Sequence, residues 1–157
     1  MKIDFDNMRQ MMVGPIPHMA AVGLDLISLD DSGAVAKVPN RPEFVGDPDT
    51  GVVHGGIVTV LLDSLSGMCI MPLMDEGTMM ATLDLRIDYL KPAAPKKDIF
   101  AHAHCYKTTR NIAFTRAIAY QDNADDPIAN ATGSFMLTRA ERPGSKKAGS
   151  KIGSKPA

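Results

Sequence analysis

Apolar and polar positions change their spacing along the chain, and each change predicts an element. Residues 4–13 form a short Met-rich amphipathic segment that stops at Gly14-Pro15-Ile16-Pro17, where proline denies a helix its donor. Strands are expected over 21–29 and 33–38, joined into a hairpin by the polar turn Asp30-Asp31-Ser32-Gly33. A proline-rich loop leads to His54-Gly55-Gly56 and then to IVTVLLDSLSGMCIM, which is long enough for about four helical turns and apolar on nearly every side. Such a helix is expected to be buried, with Pro72 and Asp75-Glu76-Gly77 ending it. From Thr82 the period becomes two. Leu83, Leu85, Ile87 and Tyr89 should share one strand face and the intervening polar residues the other, and further strands are expected over 98–107, 111–121 and 127–138. One apolar helix and about six strands give an α+β chain, an antiparallel sheet curled around a single central helix.

Composition adds limits to this picture. A chain of 157 residues that is 45% hydrophobic fits one domain, expected over 1–139 with an N-terminal helical segment at 1–14. The Gly/Ser/Lys-rich end, 140–157, has no hydrophobic period and is expected to be a flexible basic tail. Cys69 and Cys105 sit among apolar residues and read as small buried hydrophobes rather than a disulfide pair. A net charge of −1, 5% aromatics and no tryptophan argue against a nucleic-acid partner. The N-terminus lacks the continuous apolar stretch of a secretory signal, and no run of about 18 charge-free apolar residues could span a bilayer. The expectation is a soluble, cytoplasmic protein without a membrane partner.

Asp63 is the outlier, a carboxylate in the middle of the apolar helix. An ionised acid is retained in such a place when it is paired, hydrogen-bonded or set beside a wet cavity. It is therefore either a structural hydrogen-bonding group or a catalytic base or nucleophile. The Gly55-Gly56 pair supplies a possible counterpart, since a helix N-terminus presents free N–H groups and a partial positive charge. Donors of that kind stabilise the developing oxyanion in acyl transfer. His54 reads by itself as a cap or packing residue as readily as a catalyst. His102 and His104 alternate onto one strand face, but without a nearby third ligand they are not expected to hold a metal.

In conjunction, GVVHGGIVTVLLDSLSG and TLDLRIDYLKPA resemble the hotdog-fold thioesterases of the phenylacetate-degradation type, whose pattern is Gly-x-x-His-Gly-Gly, an acid on the following helix and a strand closing on Tyr-x-x-Pro. The resemblance spans roughly residues 15–138. It implies an acyl-coenzyme A thioesterase with no metal or redox cofactor, working as a homodimer or a dimer of dimers with active sites at the subunit interface. It assigns the catalytic carboxylate to Asp63, the oxyanion donor to the Gly55 N–H with Gly56 beside it, the shaping of that loop to His54, and the positioning of water or carboxylate to Thr82. The family's asparagine upstream of the motif is replaced here by Pro48, and Asp47 is the substitute. Lys91, Lys107 and Arg110, near strand ends, are the cations expected to meet the phosphates of coenzyme A, Arg110 foremost because a guanidinium matches phosphate geometry. Two other functions fit the same fold. A hotdog hydratase or dehydratase would pair its acid with a histidine, and a non-catalytic acyl-CoA-binding module would be expected to carry an output domain.

Overall fold

The computed structural model describes residues 15–139, so the segment 1–14 and the tail 140–157 lie outside the described residues. In order, the elements are helix α1 (Pro17–Val22), strands β1 (Asp25–Asp30) and β2 (Gly33–Val38), helix α2 (Gly55–Met68), and strands β3 (Thr78–Tyr89), β4 (Ile99–Thr108), β5 (Ile112–Tyr120) and β6 (Ala129–Arg139). Short 3-10 turns at Pro42–Phe44 and Met71–Leu73 flank α2. The strands form one antiparallel sheet in the order β1-β2-β4-β5-β6-β3, and α2 packs against β2 to β6. This is the hotdog arrangement that the sequence resembles.

The inner face of the sheet is rich in alanine. Ala34, Ala36, Ala101, Ala103, Ala113, Ala117, Ala119 and Ala131 are all buried, and these short side chains leave room for a helix to sit close to the strands. Val58, Leu61, Leu62, Leu65 and Met68 fill that room from α2. The stretch Gly55–Leu73 is apolar enough to cross a membrane by composition, but it serves as the core helix here.

Three expectations are corrected. Residues 21 and 22 end a helix rather than begin a strand. Pro17 stands at the start of α1, where a missing N–H is harmless, and Gly23 closes it in the left-handed region at φ 68°, its N–H reaching Ala20 O. Second, α2 stops at Met68, short of Pro72. The proline has no N–H to donate to the Met68 carbonyl, and the backbone tightens first, the Ile70 N–H reaching Gly67 O before the 3-10 turn Met71–Leu73. Third, α2 is not covered all round. Thr59 is exposed and Asp63 partly exposed in the single chain.

Strand β3 departs from strict alternation. Thr82 pairs with Phe135 and Asp84 with Ser134, so Leu83 is the extra residue of a bulge and is 50% exposed. Leu83 therefore does not join Leu85 and Ile87 in packing on the helix, whereas Thr82, opposite the buried Phe135, does turn inward.

Candidate active site

His54 starts α2. Its backbone is extended (φ −62°, ψ 130°), and its Nδ1 accepts the Gly56 N–H at 2.9 Å, as an N-cap side chain does. The residue is the cap that one of its readings anticipated. Its backbone is fixed by the upstream loop, since the His54 N–H donates to Phe44 O at 2.8 Å and Val45 bridges Val53. With the Gly56 N–H committed to His54, the Gly55 N–H is left without an acceptor among the described residues.

Tyr89 joins the end of β3 to the same helix start. Its hydroxyl donates to Gly55 O at 2.9 Å and lies 2.8 Å from Thr59 Oγ1. This tyrosine is the first residue of the Tyr-x-x-Pro motif, the sequence signal for a role in bracing the helix start. Gly55 and Tyr89 line a hollow of about 370 Å³ together with Lys91 and Pro92.

Asp63 lies two turns further along α2. Its Oδ1 accepts from the Thr82 hydroxyl at 3.1 Å. Both residues line a second hollow, of about 410 Å³, whose walls include Met19 from α1, Met68, Met71, Met80 and Phe135. No element is expected over 17–20 from the sequence, where Pro15 and Pro17 read as breakers, so this contribution of α1 to the wall is not anticipated. Met79, the neighbour of Met80 on β3, does not line the hollow and is 70% exposed.

Other expected site residues fall away from this pair. Asp47 is occupied by its own loop: Oδ1 accepts from the Asp49 N–H and Oδ2 from the Thr50 hydroxyl. The Thr50 hydroxyl first, and then the Asp49 N–H, hold its carboxyl below the usual carboxylate range. Pro48 is exposed. Lys91 borders the Gly55 hollow and is paired with Asp126. Lys107 and Arg110 stand at the β4–β5 turn, whose Asn111 receives the Leu137 N–H near the start of β3. That is the opposite end of the sheet from Lys91.

His102 and His104 lie on the outer face of the sheet, ring centroids 6.0 Å apart. Among the described residues no group of three or more His, Cys, Asp or Glu side chains could hold a metal ion. Cys69 is buried and Cys105 partly so, both as free thiols. Burial, with Cys105 nearby adding to it, pushes the Cys69 thiol up to about 12, so it resists forming a thiolate.

Comparison with known proteins agrees with this architecture. The model of the thioesterase superfamily matches residues 50–128, about half of the chain, from before His54 to the start of β6. A Pseudomonas aeruginosa protein of solved structure is 38% identical, with a TM-score of 0.75 over 83% of this chain and 96% of that one. The medium/long-chain acyl-CoA thioesterase YigI of Salmonella typhimurium is 26% identical over 141 residues, 82% of this chain and 90% of YigI. A mutant of the phenylacetic acid degradation protein PaaI from Thermus thermophilus, 24% identical with a TM-score of 0.67 over 79% of this chain and 99% of that one, shares the fold. With its curled sheet, its capped central helix and the matched segment running through both, the chain belongs to the thioesterase superfamily, the hotdog-fold thioester hydrolases.

Proposed function

We propose that the chain hydrolyses the thioester of an acyl-coenzyme A, and that each active site takes Asp63 from one protomer and the Gly55 N–H from another. The observation that carries this reading is the separation of the two groups. They stand eight positions apart on one helix, roughly 12 Å along its axis at 1.5 Å per residue. They also line different hollows, and one carbonyl cannot touch both from the same chain.

A second chain supplies the missing half. β3 is an edge strand of 12 residues, with Met79 and Leu83 exposed on it and no sheet neighbour beyond it among the described residues. An open edge with apolar side chains is a place where another strand pairs. A two-fold axis beside β3 would bring the partner's helix start toward this chain's Asp63, since such an interface exchanges equivalent surfaces.

In the resulting site the Asp63 carboxylate works in one of two ways. As a general base it takes a proton from water, whose oxygen attacks the thioester carbon; the carbonyl oxygen becomes an oxyanion held by the Gly55 N–H, and collapse expels the coenzyme A thiolate, which takes the proton back. As a nucleophile it attacks the thioester carbon, expelling the coenzyme A thiolate to leave an acyl anhydride, which water then opens to the free acid and the regenerated carboxylate. The methionine-walled hollow beside Asp63 suits a flexible aliphatic acyl chain. YigI, which this chain resembles over most of its length, is named for medium and long chains, and such chains are proposed here as well. A hydratase would need a second acid-base group, and among the described residues of the same chain no titratable side chain besides Asp63 lines this hollow.

Mixed dimers test the shared site. Asp63→Ala removes the carboxylate, and Gly55→Pro removes the N–H. Proline is suited to the first helical position, follows an extended His54, and a Cβ at Gly55 would meet the Tyr89 ring at an ordinary 3.5 Å. Each variant alone should be nearly inactive in thiol release from acyl-CoA. Refolded together in equal amounts, half the dimers are mixed and each has one intact site, so activity should return to about a quarter of wild type. Well-folded mixed dimers without recovery would exclude the shared site.

A further inference from the structure

The outward face of the sheet carries a hollow that the proposed chemistry does not use. Cross-strand pairing sets His104 opposite Arg116 and Arg116 opposite Thr132; in the adjacent outward row His102 lies opposite Ile118 and Ile118 opposite Asn130. Their sequence neighbours Ala101, Ala103, Ala117, Ala119 and Ala131 are buried against the core, so alternation turns these six side chains outward. With Ala117 and Ala131 between them they line an open hollow of about 430 Å³. That is within the range of small-molecule pockets, about 300–1,000 Å³, and far more than a bare ion fills.

The charge in this hollow is one-sided. No carboxylate lines it, and Arg116 forms no ion pair with an acid among the described residues. The guanidinium is instead held 4.6 Å over the Tyr106 ring, which orients it without neutralising it. The His102 and His104 rings lie 6.0 Å apart and inclined by only 24°. Burial first, and then the charges of His102 and Arg116, hold His104 below the usual histidine range.

We propose that this hollow binds a small ligand consisting of a planar ring that bears an anionic group, the chemistry shared by an aromatic carboxylate and a nucleoside monophosphate. The anion meets the Arg116 guanidinium, whose fork matches carboxylate or phosphate oxygens, with the Thr132 hydroxyl and Asn130 amide as further donors. The ring rests on the imidazole faces and Ile118, surfaces that favour a flat apolar body. The site lies on the opposite side of the sheet from Asp63.

The test follows the imidazole Hε1 resonances of His102 and His104 in the full chain. Benzoate and AMP are titrated beside their neutral counterparts benzamide and adenosine. At least one anion should shift both imidazoles saturably, with a Kd at least tenfold below that of its neutral counterpart, and which one does so identifies the ligand source. Arg116→Gln, a change at an exposed position, should erase that preference while leaving thiol release from acyl-CoA intact. Neither anion outbinding its neutral counterpart, as on a face covered by a second copy of the chain, would overturn the proposal. So would a preference that persists in Arg116→Gln, or loss of thiol release in that variant, which would tie the residue to the active site instead.

Discussion

Thr82 donates its hydroxyl to Oδ1 of Asp63 across 3.1 Å, from a strand position that two-residue alternation would have turned to the other face. One oxygen of the carboxylate is thereby fixed, and Oδ2 accepts no hydrogen bond among the described residues. Asp63→Asn should lower kcat for acyl-CoA hydrolysis by about 10²–10⁴-fold with the thermal unfolding midpoint little changed, because the amide keeps the size but neither takes a proton nor attacks a carbonyl. Thr82→Ala should lower kcat by roughly tenfold, the scale of one hydrogen bond to a charged group, and Thr82→Ser should restore it. Near-native turnover in Asp63→Asn would remove that residue from the chemistry.

The two glycines of the helix start should respond differently to alanine. A Cβ at Gly56 would stand 2.9 Å from His54 Nδ1, whereas one at Gly55 meets Tyr89 at 3.5 Å. Gly56→Ala should push the imidazole off its cap and destabilise the fold by about 1 kcal/mol, as His54→Ala should, while His54→Asn, which can still accept from the helix N–H groups, should recover most of that. Urea denaturation of the four variants is the measurement. Equal tolerance at both glycines would contradict the cap.

For coenzyme A, the structure separates the expected cations. Lys91 is already paired with Asp126, while Arg110 is exposed at the β4–β5 turn. Arg110→Ala should raise KM for acyl-CoA several-fold more than Lys91→Ala does, with little effect on an acyl-pantetheine thioester that lacks the nucleotide. Raising the salt should narrow the difference, since exposed charges are screened over about 10 Å at 0.1 M. Equal effects on both substrates would show that Arg110 does not meet the phosphates.

Acid stability should depend on Asp98. The Asn40 N–H and then the Lys37 ammonium hold its carboxyl below the usual carboxylate range. A folded-state pKa that is lowered contributes stability above the unfolded value and loses it as pH falls through the folded one. Asp98→Asn should therefore flatten the fall in unfolding free energy below about pH 4 and leave little difference between the proteins at the acid end. A variant whose stability fell with pH as steeply as wild type would contradict this.

The sheet, the helix and its start at His54-Gly55-Gly56 are legible in the chain because each follows from local periodicity or a breaker. What failed was not local. Pro17 was read as an end when it is a beginning, and only Gly23 six residues later distinguishes the two. The bulge at Leu83 has no glycine or proline to announce it, and it arises from pairing with β6, far away in sequence. Asp63 was singled out as a buried charge, yet it is partly exposed in the single chain. Its oddity in a hydrophobic helix marks a face that one chain leaves open, which no spacing within the sequence reveals.

The bulge at Leu83 makes β3 a strand of two phases. Before it, even-numbered positions such as Met80 and Thr82 look inward; after it, odd-numbered ones such as Leu85 and Ile87 do. Replacing Leu83 by another residue leaves both phases in place, whereas deleting it joins them and forces one half of the strand to turn over. The position thus tolerates change of identity far better than change of chain length, and a related protein lacking one residue here would have to present a different side chain to the helix carboxylate.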